Sequence, residues 1–125
     1  MSKRVLDVGQ CALDHGNIRH LLAQHFDVQV EQAHSTPEAL GRLKQEAYDL
    51  VLVNRLLDRD HSPGLDLVQQ LKADEQLAAI PVMLVSNYPA SQQEAVADGA
   101  APGFGKSEYR DPATVEKLRA VLGEA

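Results

Sequence analysis

Four short apolar runs each end in residues whose side chains decide what chemistry is open to this chain. Val5-Leu-Asp-Val leads to Gly9-Gln10, Asp49-Leu-Val-Leu-Val to Asn54, Pro81-Val-Met-Leu-Val to Ser86, and Pro102-Gly-Phe-Gly to Lys106. As parallel strands of one sheet, they would bring these ends to one crevice at the carboxyl edge, where open α/β sheets bind ligands. Ser86 offers a hydroxyl and Lys106 an ammonium, while Gly9, Gln10 and Asn54 carry no charge. The amide nitrogen of Asn54 is not basic and its oxygen holds no full charge, so it is no carboxylate nucleophile. Magnesium needs near-octahedral oxygen ligation with carboxylate charge nearby, which Gly9 and Gln10 do not supply. With no nucleophile–base pair in view, a hydrolase or transferase is not expected. Neither is a catalytic residue, a metal or a cofactor.

A buried ammonium must find oxygen acceptors, lose its proton or attract an anion. For Lys106 the carbonyls of Asn54 and Gln10 are the simplest partners. The alternative is that Ser86 and Lys106 draw in a phosphate, a sulfate or an acidic peptide side chain, making the chain a small-anion or ligand sensor. Asp7 is unusual in mid-strand, where shielding at the sheet end, a basic partner or a displaced metal-ligand role would account for it. Asp58 and Asp60 read as solvated loop carboxylates. His15, His20 and His25 recur every five residues, which scatters them around a helix instead of stacking them as zinc ligands, so they are expected on the surface. Cys11 is the single cysteine, cannot form an internal disulfide and reads as an ordinary reduced thiol.

Alternation of short apolar runs with helical periodicity is the βα pattern of a parallel sheet covered on both faces. The predicted strands are 4–9, 28–33, 50–53, 80–85 and 102–105. The alternating run from Val28 to Ala33 suits an edge strand, and the continuous Leu50–Val53 run suits a central one. Helices are expected between them: one capped by Asp14, one entered through Thr36-Pro37, one opened by Gly64, one over 90–98, and one capped by Asp111 over 112–122. The segment 55–63 reads as a long polar loop.

At 125 residues the chain is one domain by size. Its net charge of −6, with basic residues scattered, argues against sequence-independent nucleic-acid binding, which needs clustered Lys and Arg. No apolar stretch approaches the ~20 residues of a membrane span, and Met1-Ser-Lys-Arg leads directly into a strand, so a cytoplasmic location is expected.

Ala33 followed by Glu38-Ala-Leu, then Tyr48-Asp-Leu-Val-Leu-Val, Ile80-Pro-Val-Met-Leu-Val-Ser, Gly99-Ala100 and Lys106 stand in the order and near the spacing of one family. Across 1–125 the chain resembles the response-regulator receiver domain of two-component signalling. That likeness implies a flavodoxin-like (CheY-like) doubly wound sheet of five parallel strands in the order 2-1-3-4-5. In that family the strand ends read Asp-Asp, Asp, Thr or Ser, and Lys. Gly9 and Gln10 thus stand where the acidic pair would be, and Asn54 where the phosphoacceptor would be. Ser86 and Lys106 are retained. Gly103 replaces the switching aromatic three residues before the lysine, Ser107 replaces the following proline, and the loop to Gly64 is two residues longer. Three carboxylates about 5 Å apart would repel by roughly 3 kcal/mol per pair at an effective dielectric near 20, so their loss relieves strain. The resemblance implies an atypical receiver that works without phosphorylation or magnesium, through protein contacts. The family's partner face corresponds to 90–98, 102–105 and 112–122, with Gln92, Gln93, Tyr109, Arg110 and Lys117 as candidate contacts.

Overall fold

The computed structural model describes residues 2–123, in which strands and helices alternate to the end. They are β1 (Lys3–Val8), α1 (Ala12–His25), β2 (Val28–Ala33), α2 (Thr36–Gln45), β3 (Leu50–Asn54), α3 (Gly64–Ala73), β4 (Val82–Val85), α4 (Pro89–Ala97), β5 (Ala101–Phe104) and α5 (Pro112–Leu122). The sheet is parallel, in the order β2-β1-β3-β4-β5. Strand side chains alternate between faces, and the core divides accordingly. Val5, Leu50, Leu52, Met83, Val85 and Phe104 pack with Ile18, Leu21 and Leu22 of α1 and Leu118 and Leu122 of α5. Leu6, Val8, Val51, Val53, Val82 and Leu84 pack on the other face against Ala39, Leu43, Leu67, Val68, Leu71 and Ala95. α1 and α5 thus cover one face, and α2, α3 and α4 the other.

Several element ends differ from expectation, each for a local reason. α1 begins after Cys11, not at Asp14; Cys11 makes no side-chain cap, and Asp14 sits inside the first turn, where its charge complements the helix dipole. The cap of α2 is Ser35, whose hydroxyl accepts from the Glu38 N–H, so Thr36 and Pro37 lie within the first turn. Asp111 does cap α5, accepting from the Ala113 N–H. A single 3₁₀ turn, Lys106–Glu108, links β5 to α5. The loop 55–63 is less polar in its packing than in its composition. Leu57 is fully buried within it, and Leu56 bridges antiparallel to Pro63.

β4 and β5 fall out of register. Met83 pairs with Ala101 and Val85 with Phe104, so β5 spends Pro102 and Gly103 where β4 spends Leu84 alone. Such a bulge suits an edge strand, where the missing Pro102 N–H costs no ladder bond.

Candidate functional site

The four strand ends do meet at the carboxyl edge, but their polar groups face different tasks. The Asn54 amide is committed to backbone: its Nδ2 donates to the Gly9 carbonyl at 2.9 Å, and its Oδ1 accepts from the Arg55 N–H at 2.9 Å. Gly9 has φ +79°, and a Cβ there would lie 2.8 Å from the Leu57 Cα. No side chain fits without moving the loop, so Gly9 serves as a turn over which Asn54 and the Asp58 N–H (3.0 Å) close. Gln10 is fully buried, and neither amide atom has a hydrogen-bond partner among the described residues.

Lys106 does not rely on Asn54 or Gln10. Its Nζ lies 2.9 Å from Oδ2 of Asp14, which stands on the first turn of α1. Asp14 also accepts from the Tyr109 hydroxyl at 3.1 Å and the Cys11 thiol at 3.4 Å. Burial works to raise the Asp14 carboxyl, but the bonds from Lys106, Cys11 and Tyr109 together hold it below its usual value. Burial, and then the charge of Asp14, push the Tyr109 hydroxyl far above its ordinary range. The carboxylate that partners Lys106 thus comes from a helix, not from a strand end. A β-strand motif gives no sign of it, and the only hint in the sequence is an acid early in the helix after the first run.

Asp7 shares the α1-covered side of the sheet with Val5, as alternation requires. It is completely buried and lies 2.7 Å from Nδ1 of His15, so the basic partner considered from sequence is His15. Burial raises the Asp7 carboxyl, and the His15 hydrogen bond opposes that rise without cancelling it. His15 is consequently not a surface residue like His20 and His25; its side chain turns inward to β1. Asp58 pairs with His34 at 2.9 Å and Asp60 accepts from Ser62, so both loop acids are held on the rim. Cys11 is exposed and free.

Ser86 is buried, and its Oγ accepts from the Tyr88 N–H at 3.1 Å. A cavity of about 220 Å³ opens beside it, lined by Asn54, Arg55, Leu56, Val85, Ser86, Asn87, Tyr88 and Lys106. Gly103 lies around the corner on β5. Its N–H donates to Gln92 Oε1 at 3.2 Å, and its carbonyl accepts from Lys117 Nζ at 2.9 Å. The Gln92 amide donates in turn to Leu84 O at 2.9 Å and Ser86 O at 3.2 Å, filling the gap that the bulge opens.

No family model matches the chain. Solved structures do. The chemotaxis response regulator CheY4 of Vibrio cholerae superposes with a TM-score of 0.76 at 22% identity, over 98% of this chain and 100% of that one. The signal receiver domain of a DNA-binding response regulator from Colwellia psychrerythraea 34H gives 0.83 at 16% identity, over 98% and 100%. A response regulator from Burkholderia pseudomallei, solved with a phosphorylated aspartic acid, a calcium ion and citrate, gives 0.70 at 26% identity over 97% of this chain and 66% of that one. The chain has the receiver fold.

The receiver fold implies a divalent cation at the carboxyl edge, and the residues here do not fit one. Gly9, Gln10 and Asn54 offer no carboxylate, Asp7 is bonded to His15, and Asp14 to Lys106. Among the described residues no three His, Cys, Asp or Glu side chains gather as a metal-binding group. Gly103 leaves no room for a side chain: a Cβ would sit 2.0 Å from the Leu84 carbonyl oxygen. Phe104 is instead the buried aromatic of this strand, edge-on to Tyr109 with centroids 6.4 Å apart. Of the candidate partner residues, Gln92, Gln93 and Lys117 line one groove with Val96, Pro102, Gly103 and Glu108, while Tyr109 and Arg110 line a separate recess with His20 and Gln24. No helix among the described residues is long and apolar enough to cross a membrane.

Proposed function

We propose that this chain is an atypical receiver, a two-component-type signalling module that acts through protein contact and not through aspartyl phosphorylation or catalysis. The observation that carries the reading is the way Asn54 is held. Both ends of its amide are bonded to backbone, and the glycine it closes over admits no acid. Phosphoryl transfer depends on a carboxylate nucleophile and on metal-ion charge neutralisation, and both are missing. What the fold retains is a docking surface. The groove between α4 and α5 over β5 has a volume of about 400 Å³, with Val96 and Pro102 exposed in its lining. A protein partner in the cytoplasm is the proposed occupant; neither nucleic acid, membrane nor magnesium has a part.

The direct test is incubation with acetyl phosphate and magnesium followed by intact mass measurement. The mass should not change. An adduct of one phosphoryl group at any residue, Asp58 and Asp60 included, would overturn the reading.

A further inference from the structure

The recess between α1 and the turn that leads into α5 has walls that are fixed and polar groups that are not. It has a volume of about 430 Å³ and is lined by Asn17, His20, Leu21, Gln24, Tyr109 and Arg110. Asn17, Leu21 and Gln24 stand at i, i+4 and i+7 of α1, one stripe of the helix with His20 beside it. At 1.5 Å of rise per residue the stripe is about 10 Å long. Leu21 is buried, and the half-buried Tyr109 ring is held edge-on to Phe104 with its hydroxyl on Asp14 at 3.1 Å. With that hydroxyl committed, Tyr109 presents ring surface to the recess. The backbone after Arg110 is pinned as well: the Asp111 N–H donates to the Glu108 carbonyl at 3.1 Å, and the Asp111 side chain caps α5.

The amides of Asn17 and Gln24, the His20 imidazole and the Arg110 guanidinium make no hydrogen bond or ion pair among the described residues. No carboxylate lines the recess among those residues. The one acid of α1, Asp14, is already bonded to Lys106, Tyr109 and Cys11. In a chain of net charge −6, an unpaired guanidinium with no acid beside it is a local positive site. Its planar fork suits the two oxygens of a carboxylate. One fork among neutral amides matches the single charge of a carboxylate better than the double charge of a phosphate. The volume falls within the roughly 300–1,000 Å³ of small-molecule sites, which likewise combine apolar walls with a few placed polar groups.

We infer that the recess between α1 and the Tyr109–Arg110 turn is a binding site for a small organic acid with a flat apolar body, an arylcarboxylate in the simplest case. The carboxylate takes the Arg110 fork, and the body lies against Leu21 and the Tyr109 ring. Asn17, His20 and Gln24 bond polar substituents on its edge. Binding is noncovalent and needs no metal. The recess is separate from the groove between α4 and α5, so either assignment can fail without the other.

The test is an amide-resolved NMR titration of the full chain with sodium benzoate and, separately, with benzyl alcohol and sodium acetate, sodium chloride holding ionic strength constant. Benzyl alcohol keeps the ring without the charge, and acetate keeps the charge without the ring. Arg110→Gln and Arg55→Gln serve as matched charge variants, Arg55 lying over the Tyr88 ring outside the recess. Arg110 is exposed and makes no bond among the described residues, so its variant should fold, which the spectrum itself reports. Benzoate should give saturable shifts at Asn17, His20, Gln24 and Arg110, and should bind at least about fivefold more tightly than either control compound. Its affinity should fall at least about fivefold in Arg110→Gln, the loss of a bidentate contact, and stay within about twofold in Arg55→Gln. Absence of saturation with benzoate, shifts centred on Ser86 and Lys106 instead, equal affinity in Arg110→Gln, or equal binding of benzyl alcohol or acetate would each overturn the assignment.

Discussion

At the scale of single residues, two charged groups find their partners on the first turn of α1. Asp14 supplies the acid that Lys106 lacks, and His15 supplies the base that Asp7 needs. Asp7 is the more consequential for pH. Its folded value is raised by burial above the ordinary 3.8, so its contribution to stability is full below that value and is lost as pH rises through the folded one. Asp7→Asn cannot titrate. The stability of the native chain relative to this variant should therefore fall as pH is raised from about 4 towards neutrality, in thermal melts at several pH values. A gap that stayed constant or widened would count against the raised carboxyl. Asn54→Asp makes a second residue-level prediction. It would put a carboxylate oxygen where Nδ2 now donates to the Gly9 carbonyl, 2.9 Å away. Two acceptors facing each other should cost about 1–3 kcal/mol, and the variant should still gain no mass with acetyl phosphate and magnesium. A stable variant that became phosphorylated would mean that the loop moves aside and a metal finds other ligands. None of these pairings was legible in the sequence beyond a basic partner as one of three alternatives for Asp7, because each joins a strand to a helix whose rotation only packing decides.

At the scale of elements, the bulge of β5 is where sequence and structure diverge most usefully. Gly103 reads as the loss of a functional ring, yet in the fold it is required by space. Its would-be Cβ meets the Leu84 carbonyl at 2.0 Å, and Gln92 and Lys117 hold its backbone from both sides. Gly103→Ala should therefore cost about 2 kcal/mol or more, at the upper end for overpacking a tight site. Gly41 supplies the contrast. It lies exposed within α2 with nothing within 4 Å of its Cβ position, so Gly41→Ala should stabilise by about 0.5–1 kcal/mol. Urea melts of the two variants decide between a spatial and a merely conformational role for glycine; equal effects would refute the spatial one. The strands themselves were readable: β2 matches its alternating run residue for residue, β3 runs one residue past its continuous one to Asn54, and β4 begins at Val82, two residues later than read. Asp111 was read as the cap of α5 and does cap it, and Gly64 opens α3 as read. The cap of α2 was read one residue late, at Thr36 instead of Ser35, and α1 begins before Asp14, after an uncapped Cys11.

At the scale of the whole molecule, the parallel sheet was legible from the alternation of elements, because parallel topology follows from βα spacing, and the order β2-β1-β3-β4-β5 came from the family likeness alone. What the sequence did not convey is how completely the route from the Ser86 cavity to the groove between α4 and α5 is tied down. The path from Ser86 to the α4–α5 groove runs through Gln92, which bonds Leu84 O, Ser86 O and Gly103 N–H together, and through Lys117, which fixes the Gly103 carbonyl. Phe104 is buried, and the Tyr109 hydroxyl is bonded to Asp14. A ligand shifts a conformational equilibrium only by its differential affinity for two states, and this network leaves no ring to swing between them. The partner face should hold one conformation, with occupancy set by how much protein is present. Ser86→Ala removes only the hydroxyl that accepts from the Tyr88 N–H, leaving the Ser86 carbonyl on Gln92 in place. Affinity for a partner captured on the α4–β5–α5 face should then change by less than about threefold, or roughly 0.7 kcal/mol. Calorimetry with the folded variant reads this directly, and a loss of tenfold or more would show that the Ser86 cavity and the partner face are coupled after all.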